Sequence, residues 1–265
     1  MRATHAPPTL AVTVLVTATA FAAGVGPRSL LLGAAILCGQ ASIGWANDYV
    51  DADRDRMVQR RDKPVAAGEI SAAAVGRAAA VALTVTVPLS LAVGWVSGAA
   101  HLVAVGSAWM YDLRLKQTVV SWAPYALSFG LLPVIIAGAL PGAPRPQPWI
   151  VGVAGCLGVA AHFANTVGDA ADDERTGVRG LPQRLGPRAS VAAAAVIVLV
   201  AALLLVVATR GAAASIVAVG FAVGAVPVAM LSSGRRHSAF GAVIAAAGAM
   251  VTAFVLSGGD HLTHR

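Results

Sequence analysis

Acidic and amide side chains recur at a helical spacing in Asn47 to Gly68, the most polar stretch in the first half of the sequence. Within it, Asn47, Asp51 and Asp55 are spaced i, i+4 and i+8. Residues four apart lie on one face of a helix, so these side chains would form a column of oxygen ligands. Carboxylates one turn apart repel each other, and a hard divalent cation relieves that repulsion. The spacing therefore predicts a metal site.

The second half of the chain repeats this pattern. Asn165, Asp169 and Asp173 again run i, i+4 and i+8, and in both halves basic residues, a proline and a glycine follow the acidic column. This weak internal repeat predicts two related halves of the protein. A pseudo-twofold arrangement of the halves would bring the two acidic columns face to face across a central cavity.

Two facing acidic columns carry more negative charge than one Mg²⁺ ion requires, which favours two or three ions with a polyanion between them. Mg²⁺ keeps water ligands, takes one or two carboxylates and shares its remaining positions with substrate phosphates. A diphosphate is therefore the predicted ligand. The bases expected to neutralise its remaining oxygens lie behind or between the columns: Arg56, Arg60, Arg61, Lys63, Arg114, Lys116, Arg175 and Arg179.

The elements that position these residues are predicted to be membrane-spanning helices. Of the 265 residues, 57% are hydrophobic and only 12% are charged, whereas about 25% of residues are charged in ordinary soluble domains. The apolar residues form blocks close to the ~20 residues that a helix needs to cross a bilayer. The net charge of +7 is divided among segments between these blocks and mixed with acids, so a nucleic-acid partner is not expected.

Nine spans are predicted from the apolar runs between charges, glycines and prolines. They are Pro8–Gly26, Ser29–Ala46, Ala72–Trp95, Ala99–Met110, Ser121–Leu140, Gln147–Thr166, Ala189–Thr209, Ala212–Leu231 and Ser238–Ser257. The two acidic columns follow the second and the sixth span. The sequence thus predicts one all-α membrane domain over residues 1–265, with two four-helix halves and a ninth helix. Prolines within the spans predict kinks at Pro88, Pro124 and Pro133.

The distribution of basic residues predicts the orientation of the spans. With nine spans, fifteen of the nineteen basic residues fall on the side that holds the N-terminus and the loops after even-numbered spans. The positive-inside rule places that side in the cytoplasm. We therefore expect a multi-pass protein of the cell membrane whose N-terminus and two acidic loops are cytoplasmic.

The motifs resemble those of the UbiA superfamily of intramembrane prenyltransferases. The first family signature, NDxxDxxxD, is matched by Asn47, Asp48, Asp51 and Asp55, and the second, DxxxD, is matched by Asp169 and Asp173. A third element, a tyrosine followed by a base after the fourth span, is approximated by Tyr111 with Arg114 and Lys116. The family commonly writes this element YxxxK, and here the lysine comes one position later.

The resemblance covers the whole chain and implies roles for individual residues. The implied Mg²⁺ ligands are Asn47, Asp51, Asp55, Asp169 and Asp173. The residues implied in catalysis are Asp51, Asp55, Asp169, Asp173, Tyr111 and Lys116. The bases expected on the diphosphate are Arg56, Arg61, Lys63, Arg114, Lys116 and Arg179. The implied fold is a nine-helix bundle around a central cavity.

The reaction implied by the resemblance is Mg²⁺-dependent transfer of a prenyl group from a polyprenyl diphosphate to a small lipophilic or aromatic acceptor, such as a quinone precursor, within the membrane. An intramembrane terpene cyclase, in which the allylic cation is attacked by its own alkene, would use the same metal site and stays open. A transporter is a remote alternative, because transporters usually carry ionisable groups at mid-membrane and these acids lie at span ends.

Aromatic and histidine side chains near the columns complete the candidate site. The aromatic rings expected to stabilise an allylic cation are Trp45, Trp109, Trp122, Tyr125, Phe129 and Phe163. His101 and His162 lie in apolar surroundings, where a buried, hydrogen-bonded neutral histidine is the default. His162 lies one turn before Asn165, so a role as a base or on the acceptor is a hypothesis for it.

Overall fold

The computed structural model describes residues 6–60 and 62–213 and, beyond them, residues 216, 217, 219, 220, 224, 241, 245, 248 and 249. The elements in this part of the chain are helices, without a β-strand, which confirms the all-α class. The predicted spans Ala212–Leu231 and Ser238–Ser257 lie largely outside the described residues. The total of nine spans and the division into two repeated halves therefore stay predictions.

The described helices follow one another along the chain, with the longest connection, residues 58–71, between α3 and α4. In chain order they are α1 (Ala6–Ala22), α2 (Arg28–Val50), α3 (Ala52–Met57), α4 (Ala72–Val93), α5 (Trp95–Leu113), α6 (Ala123–Gly130), α7 (Leu132–Ala139), α8 (Pro148–Thr176), α9 (Leu181–Leu185) and α10 (Pro187–Ala208). A 3-10 turn, Leu115–Gln117, follows α5. By length and composition, α2, α4, α8 and α10 are long and apolar enough to cross a membrane.

The first acidic column lies where two helices meet. The α2 helix ends at Val50, Asp51 has φ −91° and ψ 0°, and α3 begins at Ala52. Backbone hydrogen bonds of helical spacing continue through this junction, from Asp51 N to Asn47 O (2.9 Å) and from Asp55 N to Asp51 O (2.8 Å). The spacing i, i+4, i+8 is therefore kept although the helix is interrupted.

The second acidic column lies within a helix, which corrects the prediction of a polar loop directly after the sixth span, whereas the end of that span at Thr166 stays a prediction. The α8 helix continues to Thr176 because Gly177 supplies its terminus, with the left-handed φ of +75° that glycine adopts without strain. Val178 N donates to Asp173 O at 2.9 Å, which closes the last turn. The column is thus on a rigid extension of a membrane helix.

The prolines act differently from one another. Pro133 lies in the first turn of α7 and divides the predicted fifth span into α6 and α7, as expected for a residue without a backbone N–H. Pro124 lies in the first turn of α6, where proline is tolerated, and α4 continues through Pro88. The predicted break is present at Pro133, whereas Pro124 begins a helix and Pro88 does not end one.

Small residues allow the helices to pack closely. A Cβ atom added to Gly158 on α8 would lie 2.4 Å from the carbonyl oxygen of Tyr125 and 2.7 Å from Cβ of Phe129, so only glycine fits against α6 there. One apolar core joins α8 to α10, including Ala160, Ala164 and Ala202. A second core joins α1, α2, α5 and α7. Residues of both cores line an internal cavity, among them Ala161 of the first core and Ile36 of the second.

Candidate functional site

A cavity of about 360 Å³ is lined by residues of α1, α2, α3, α5, α6, α7 and α8. The inner part is mainly apolar, with Ile36, Val105, Leu132 and Ile135 in its wall beside the polar side chains of Gln40 and His101. At the other end the wall is acidic and basic. The cavity is therefore amphipathic, with a polar mouth and an apolar interior.

Both acidic columns reach this mouth. Asn47, Asp51 and Asp55 line it from α2 and α3, and Asp169 and Asp173 line it from α8. The chain thus brings together two sets of ligands that are more than a hundred residues apart in sequence. Neither the N-terminal nor the C-terminal half forms this mouth alone.

Lys63, from the loop after α3, forms ion pairs and a hydrogen bond with side chains in and next to the first column. Its Nζ lies 2.9 Å from Oδ2 of Asp55, 3.1 Å from Oδ1 of Asp48 and 3.2 Å from Oδ1 of Asn47. Burial raises the pKa of Asp55, and the charge of Lys63 partly opposes this shift. Burial opposes the charged form of Lys63 as well, but Asp48 and Asp55 outweigh it and the pKa of Lys63 is raised. The lysine is therefore a buried cation held among three oxygens.

Lys116 neutralises the middle of the same column. It lies in the 3-10 turn after α5, only 6% exposed, and its Nζ forms an ion pair and a short hydrogen bond with Oδ1 of Asp51. Arg54 Nη2 also lies 2.7 Å from that oxygen. Lys116 therefore contacts the first column, although it lies one position farther from Tyr111 than the lysine of the family pattern YxxxK.

Arg60 connects the two columns. Its Nη1 lies 2.9 Å from Oδ1 of Asp169 and 3.8 Å from Oδ2 of Asp172, and its Nη2 lies 2.9 Å from Oδ2 of Asp62. The hydrogen bond with Asp62 is the main reason why the pKa of Arg60 is raised. The loop that follows the first column is therefore tied to the helix that carries the second.

Two further polar residues belong to the site and were not predicted. Asp112, 3% exposed at the end of α5, accepts a hydrogen bond from Nδ2 of Asn47 at 3.0 Å. Gln183 on α9 donates from Nε2 to Oδ2 of Asp173 at 2.8 Å. The position of Asp112, an acid at the end of an apolar span, could have indicated a role in the site. Gln183, a single glutamine in a polar segment, has no such sequence signal.

The other predicted bases lie elsewhere. Arg56 is exposed and pairs with Asp53 at 2.7 Å, and Arg114, Arg175 and Arg179 are exposed. Among the described residues, these four are not part of the cavity lining. Arg61 lies outside the described residues.

Aromatic rings form the wall next to the acidic mouth. Tyr111 and Tyr125 line the cavity with ring centroids 5.2 Å apart and planes at 83°, and Phe129 stacks on Tyr125 at 6.4 Å. His162 lies behind them, with its centroid 4.8 Å from that of Tyr125 and Nε2 3.0 Å from Oγ of Ser121. Of the predicted aromatic residues, Tyr125 and Phe129 line the cavity, while Trp45, Trp109, Trp122 and Phe163 do not.

The donor set at the mouth fits Mg²⁺. The side chains that the described residues place there offer carboxylate and amide oxygens, the hard ligands that Mg²⁺ prefers, and no thiolate or imidazole. In the part of the chain that the structure describes, no three acidic, histidine or cysteine side chains are already grouped as metal ligands. Instead Lys63, Lys116 and Arg60 lie against the carboxylates, so a metal ion would bind by taking over these contacts.

Apolar helices around an amphipathic cavity, with acids and bases at one end, define a membrane protein with an internal site for a lipid-tailed anion. The chain belongs to the UbiA prenyltransferase family, because residues 7–239 match the sequence profile of that family. Membership confirms the resemblance drawn from the motifs and makes the chain an integral membrane prenyltransferase. Among curated protein sequences, no relative matches it.

Solved structures share the fold across nearly the whole chain. A UbiA homolog from Archaeoglobus fulgidus, bound to GPP and Mg²⁺, has a TM-score of 0.70 and 18% identity, over 96% of this chain and 98% of that one. A UbiA homolog from Aeropyrum pernix K1 has a TM-score of 0.72 and 16% identity, over 94% and 97%. A digeranylgeranylglyceryl phosphate synthase has a TM-score of 0.64 and 15% identity, over 97% and 96%. At these identities the similarity shows the fold.

Proposed function

We propose that this protein uses Mg²⁺ to transfer a prenyl group from a prenyl diphosphate to a small lipophilic or aromatic acceptor inside the membrane. The observation that carries the proposal is the convergence of two acidic columns, two buried lysines and the half-buried Arg60 at the mouth of an apolar cavity. The charged mouth would bind the anionic head of such a substrate, and the apolar cavity would bind its hydrocarbon tail. The GPP and Mg²⁺ bound to the Archaeoglobus homolog support the same class of ligand.

The head of the substrate would lie between the columns. Asn47, Asp51, Asp55, Asp169 and Asp173 would hold Mg²⁺, which when bound supplies positive charge that stabilises the departing diphosphate. The ammonium groups of Lys63 and Lys116 and the guanidinium of Arg60 would turn from the carboxylates to the diphosphate oxygens. Such charge-assisted hydrogen bonds are stronger than neutral ones, and Arg60 can form two at once.

Transfer would begin when the bond between C1 of the prenyl group and its oxygen breaks. The electron pair leaves with the diphosphate, where the bases stabilise the new charge, and the prenyl carbon becomes an allylic cation. The ring faces of Tyr111 and Tyr125 would stabilise that cation. The apolar wall keeps water away, so a carbon of the acceptor attacks C1 and then loses a proton.

The mouth and the N-terminus would face the cytoplasm. The bases around the mouth and the uneven distribution of arginine and lysine between the two sides support this orientation. Single cysteines placed at Asp53 and at Arg145, in a Cys38→Ser, Cys156→Ser background, would test it in intact cells. Labelling of position 145 but not of position 53 by a membrane-impermeant maleimide is expected, and the opposite pattern would reverse the orientation.

Binding and turnover of prenyl diphosphates test the proposal. Purified protein should bind geranyl diphosphate with Mg²⁺, lose that binding with EDTA, and lose it in Asp51→Asn. Release of diphosphate only in the presence of aromatic or lipid acceptors would support transfer. Release of diphosphate together with a cyclic hydrocarbon, without an acceptor, would instead assign terpene cyclisation. Folded protein that binds no prenyl diphosphate of any length would contradict both reactions.

A further inference from the structure

Asn47 differs from the aspartates that are proposed as Mg²⁺ ligands in what it offers to a cation. A carboxylate presents an oxygen whichever way it turns. The amide of Asn47 has one oxygen, which binds a metal ion, and one nitrogen, whose N–H groups repel it. A half-turn of the amide therefore replaces a ligand by a hydrogen-bond donor, so a metal site that uses Asn47 needs a contact that fixes this amide.

The hydrogen bonds around Asn47 define the direction of its amide. Nδ2 donates to Oδ1 of Asp112 at 3.0 Å and to Oδ2 of Asp51 at 3.1 Å. Oδ1 accepts from Nζ of Lys63 at 3.2 Å. The reverse orientation would place Nδ2 against an ammonium group and Oδ1 against two carboxylates, so that all three hydrogen bonds would be lost. The amide oxygen thus faces the side where Lys63 places its positive charge.

Asp112 is the one of these three partners that has no other role in the proposed reaction. Asp51 would bind Mg²⁺ and Lys63 would turn to the diphosphate, so neither is reserved for the amide once the ligands are bound. Asp112 lies at the end of α5 and is only 3% exposed. Its carboxylate can therefore continue to accept from Nδ2 of Asn47 while the other two contacts change.

The packing of α5 against α2 holds Asp112 in place. One turn before it, Trp109 Nε1 donates to Oγ of Ser42 on α2 at 3.3 Å. Farther along the same two helices, a Cβ added to Gly39 would lie 2.9 Å from Nε2 of His101, so the helices are in close contact there. The carboxylate of Asp112 is thus positioned by two packed helices and not by a loop.

We propose that Asp112 is a positioning residue that holds the amide of Asn47 so that Oδ1, and not Nδ2, faces Mg²⁺. The inference rests on the proposed function, since it concerns that metal site. A hydrogen-bond partner that orients a metal ligand commonly changes the metal affinity by about 10- to 100-fold when it is removed, without touching the metal. An asparagine at position 112 would not fix the amide, because it presents either an oxygen or N–H groups to Asn47.

Asp112→Asn tests the proposal at nearly constant side-chain volume. Mg²⁺ is titrated against the binding of geranyl diphosphate to the detergent-purified protein, and the Mg²⁺ concentration at half-maximal binding is measured. It should rise about tenfold in Asp112→Asn. Asp53→Asn makes the same change of charge at an exposed acid and is the matched control, expected to stay within about twofold of the wild type. An unchanged value in Asp112→Asn overturns the proposal.

The same substitution in an Asn47→Ala background separates positioning from direct contact with the metal. Without an amide to orient, Asp112→Asn should change the half-maximal Mg²⁺ concentration by about twofold at most. A tenfold rise in this background as well would make Asp112 a ligand or a general structural residue, and it overturns the proposal.

An exchange of the two residue types supplies a rescue. Asn47→Asp combined with Asp112→Asn keeps the net charge and a hydrogen bond between the two positions, and residue 47 then presents an oxygen whichever way it turns. Its Mg²⁺ requirement should return to within about threefold of the wild type. An exchange variant as weak as Asp112→Asn overturns the proposal. Absence of Mg²⁺-dependent geranyl diphosphate binding in the wild type would instead refute the proposed function.

Discussion

The two acidic columns share residue types and spacing but are neutralised in different ways. The first lies at the junction of α2 and α3, and two almost fully buried lysines, Lys63 and Lys116, form ion pairs with it. The second lies on continuous α8, where Arg60 reaches Asp169 and only a neutral amide, from Gln183, reaches Asp173. Among the described residues no base forms an ion pair with Asp173. The second column therefore keeps more uncompensated negative charge.

This difference indicates different roles for the two columns in the proposed reaction. In the proposed reaction, the lysines that neutralise the first column would move to an incoming diphosphate without leaving the mouth, so the first column would supply the positive charge that stabilises the leaving group. The second column has little positive charge of its own, so it gains most from an added Mg²⁺ ion. The following variants test this division, from the largest expected effect to the smallest.

Asp173→Asn should cause the largest loss. It removes a carboxylate that no base neutralises, so Mg²⁺-dependent consumption of geranyl diphosphate should fall by about 10²- to 10³-fold. Asp53→Asn is the control, because Asp53 is an exposed acid of α3 that pairs with Arg56, and its rate should stay near that of the wild type. A loss in Asp55→Asn that exceeds the loss in Asp173→Asn would contradict the assignment of metal demand to the second column.

Lys63→Met should destabilise the fold more than Lys116→Met. Loss of Lys63 removes the cation that pairs with the buried carboxylate of Asp55, which costs about 3 kcal/mol in free energy of unfolding. Asp51 keeps Arg54 when Lys116 is removed, so that variant should lose less. Thermal unfolding in detergent measures both. Equal unfolding temperatures for the two variants would show that Lys63 does not stabilise the first column more than Lys116 does.

Arg60→Gln should lower the rate of geranyl diphosphate consumption about tenfold, because it removes both the connection between the columns and a guanidinium near the diphosphate. Arg56→Gln is matched in residue type and lies in the preceding helix, but its ion pair is solvent-exposed and contributes little. Its rate should stay within about twofold of the wild type. The assignment of Arg60 fails if the two variants behave alike.

Gln183→Leu should have the smallest effect of the set. It removes one hydrogen bond to Asp173, worth about 1 kcal/mol, or roughly a fivefold weaker apparent affinity for Mg²⁺. Gln183→Glu brings a second carboxylate next to Asp173 and should strengthen Mg²⁺ binding instead. Titration of Mg²⁺ against geranyl diphosphate binding measures both variants, and effects of the same sign would rule out an electrostatic role for this residue.

Much of this site follows from the sequence, because its acids depend only on helical periodicity. The spacing of Asn47, Asp51 and Asp55 fixes their common face whether or not the helix is continuous. The bases were harder to assign. Arg60 and not Arg56 reaches α8, because Gln59 adopts a positive φ of 55° and turns the chain after α3. A non-glycine residue in that conformation is uncommon and has no reliable sequence signal.

Long-range contacts account for the other differences. Asp112 belongs to the site because α5 packs beside α2, and Gln183 belongs to it because α9 folds back onto α8. A prediction made from apolar runs ended the sixth span at Thr166, because polar residues begin there. The α8 helix continues because its polar extension faces the acidic mouth and a glycine at position 177 terminates it. Sequence periodicity shows which residues share a face of one helix. It does not show which helices pack together, and that packing brings Asp112 and Gln183 into the site.

The contact at Gly158 has a consequence for catalysis. Since α8 has no side chain at Gly158, it packs directly against the backbone of Tyr125 and the side chain of Phe129 on α6, so that these two rings and the carboxylates of Asp169 and Asp173 belong to a single stiff frame. In the proposed reaction, the distance between the departing diphosphate and the allylic cation would be set by this frame. Among the described elements, the opposite wall, on α1, α2 and α5, is then the one to vary when the protein is redesigned for an acceptor of a new shape.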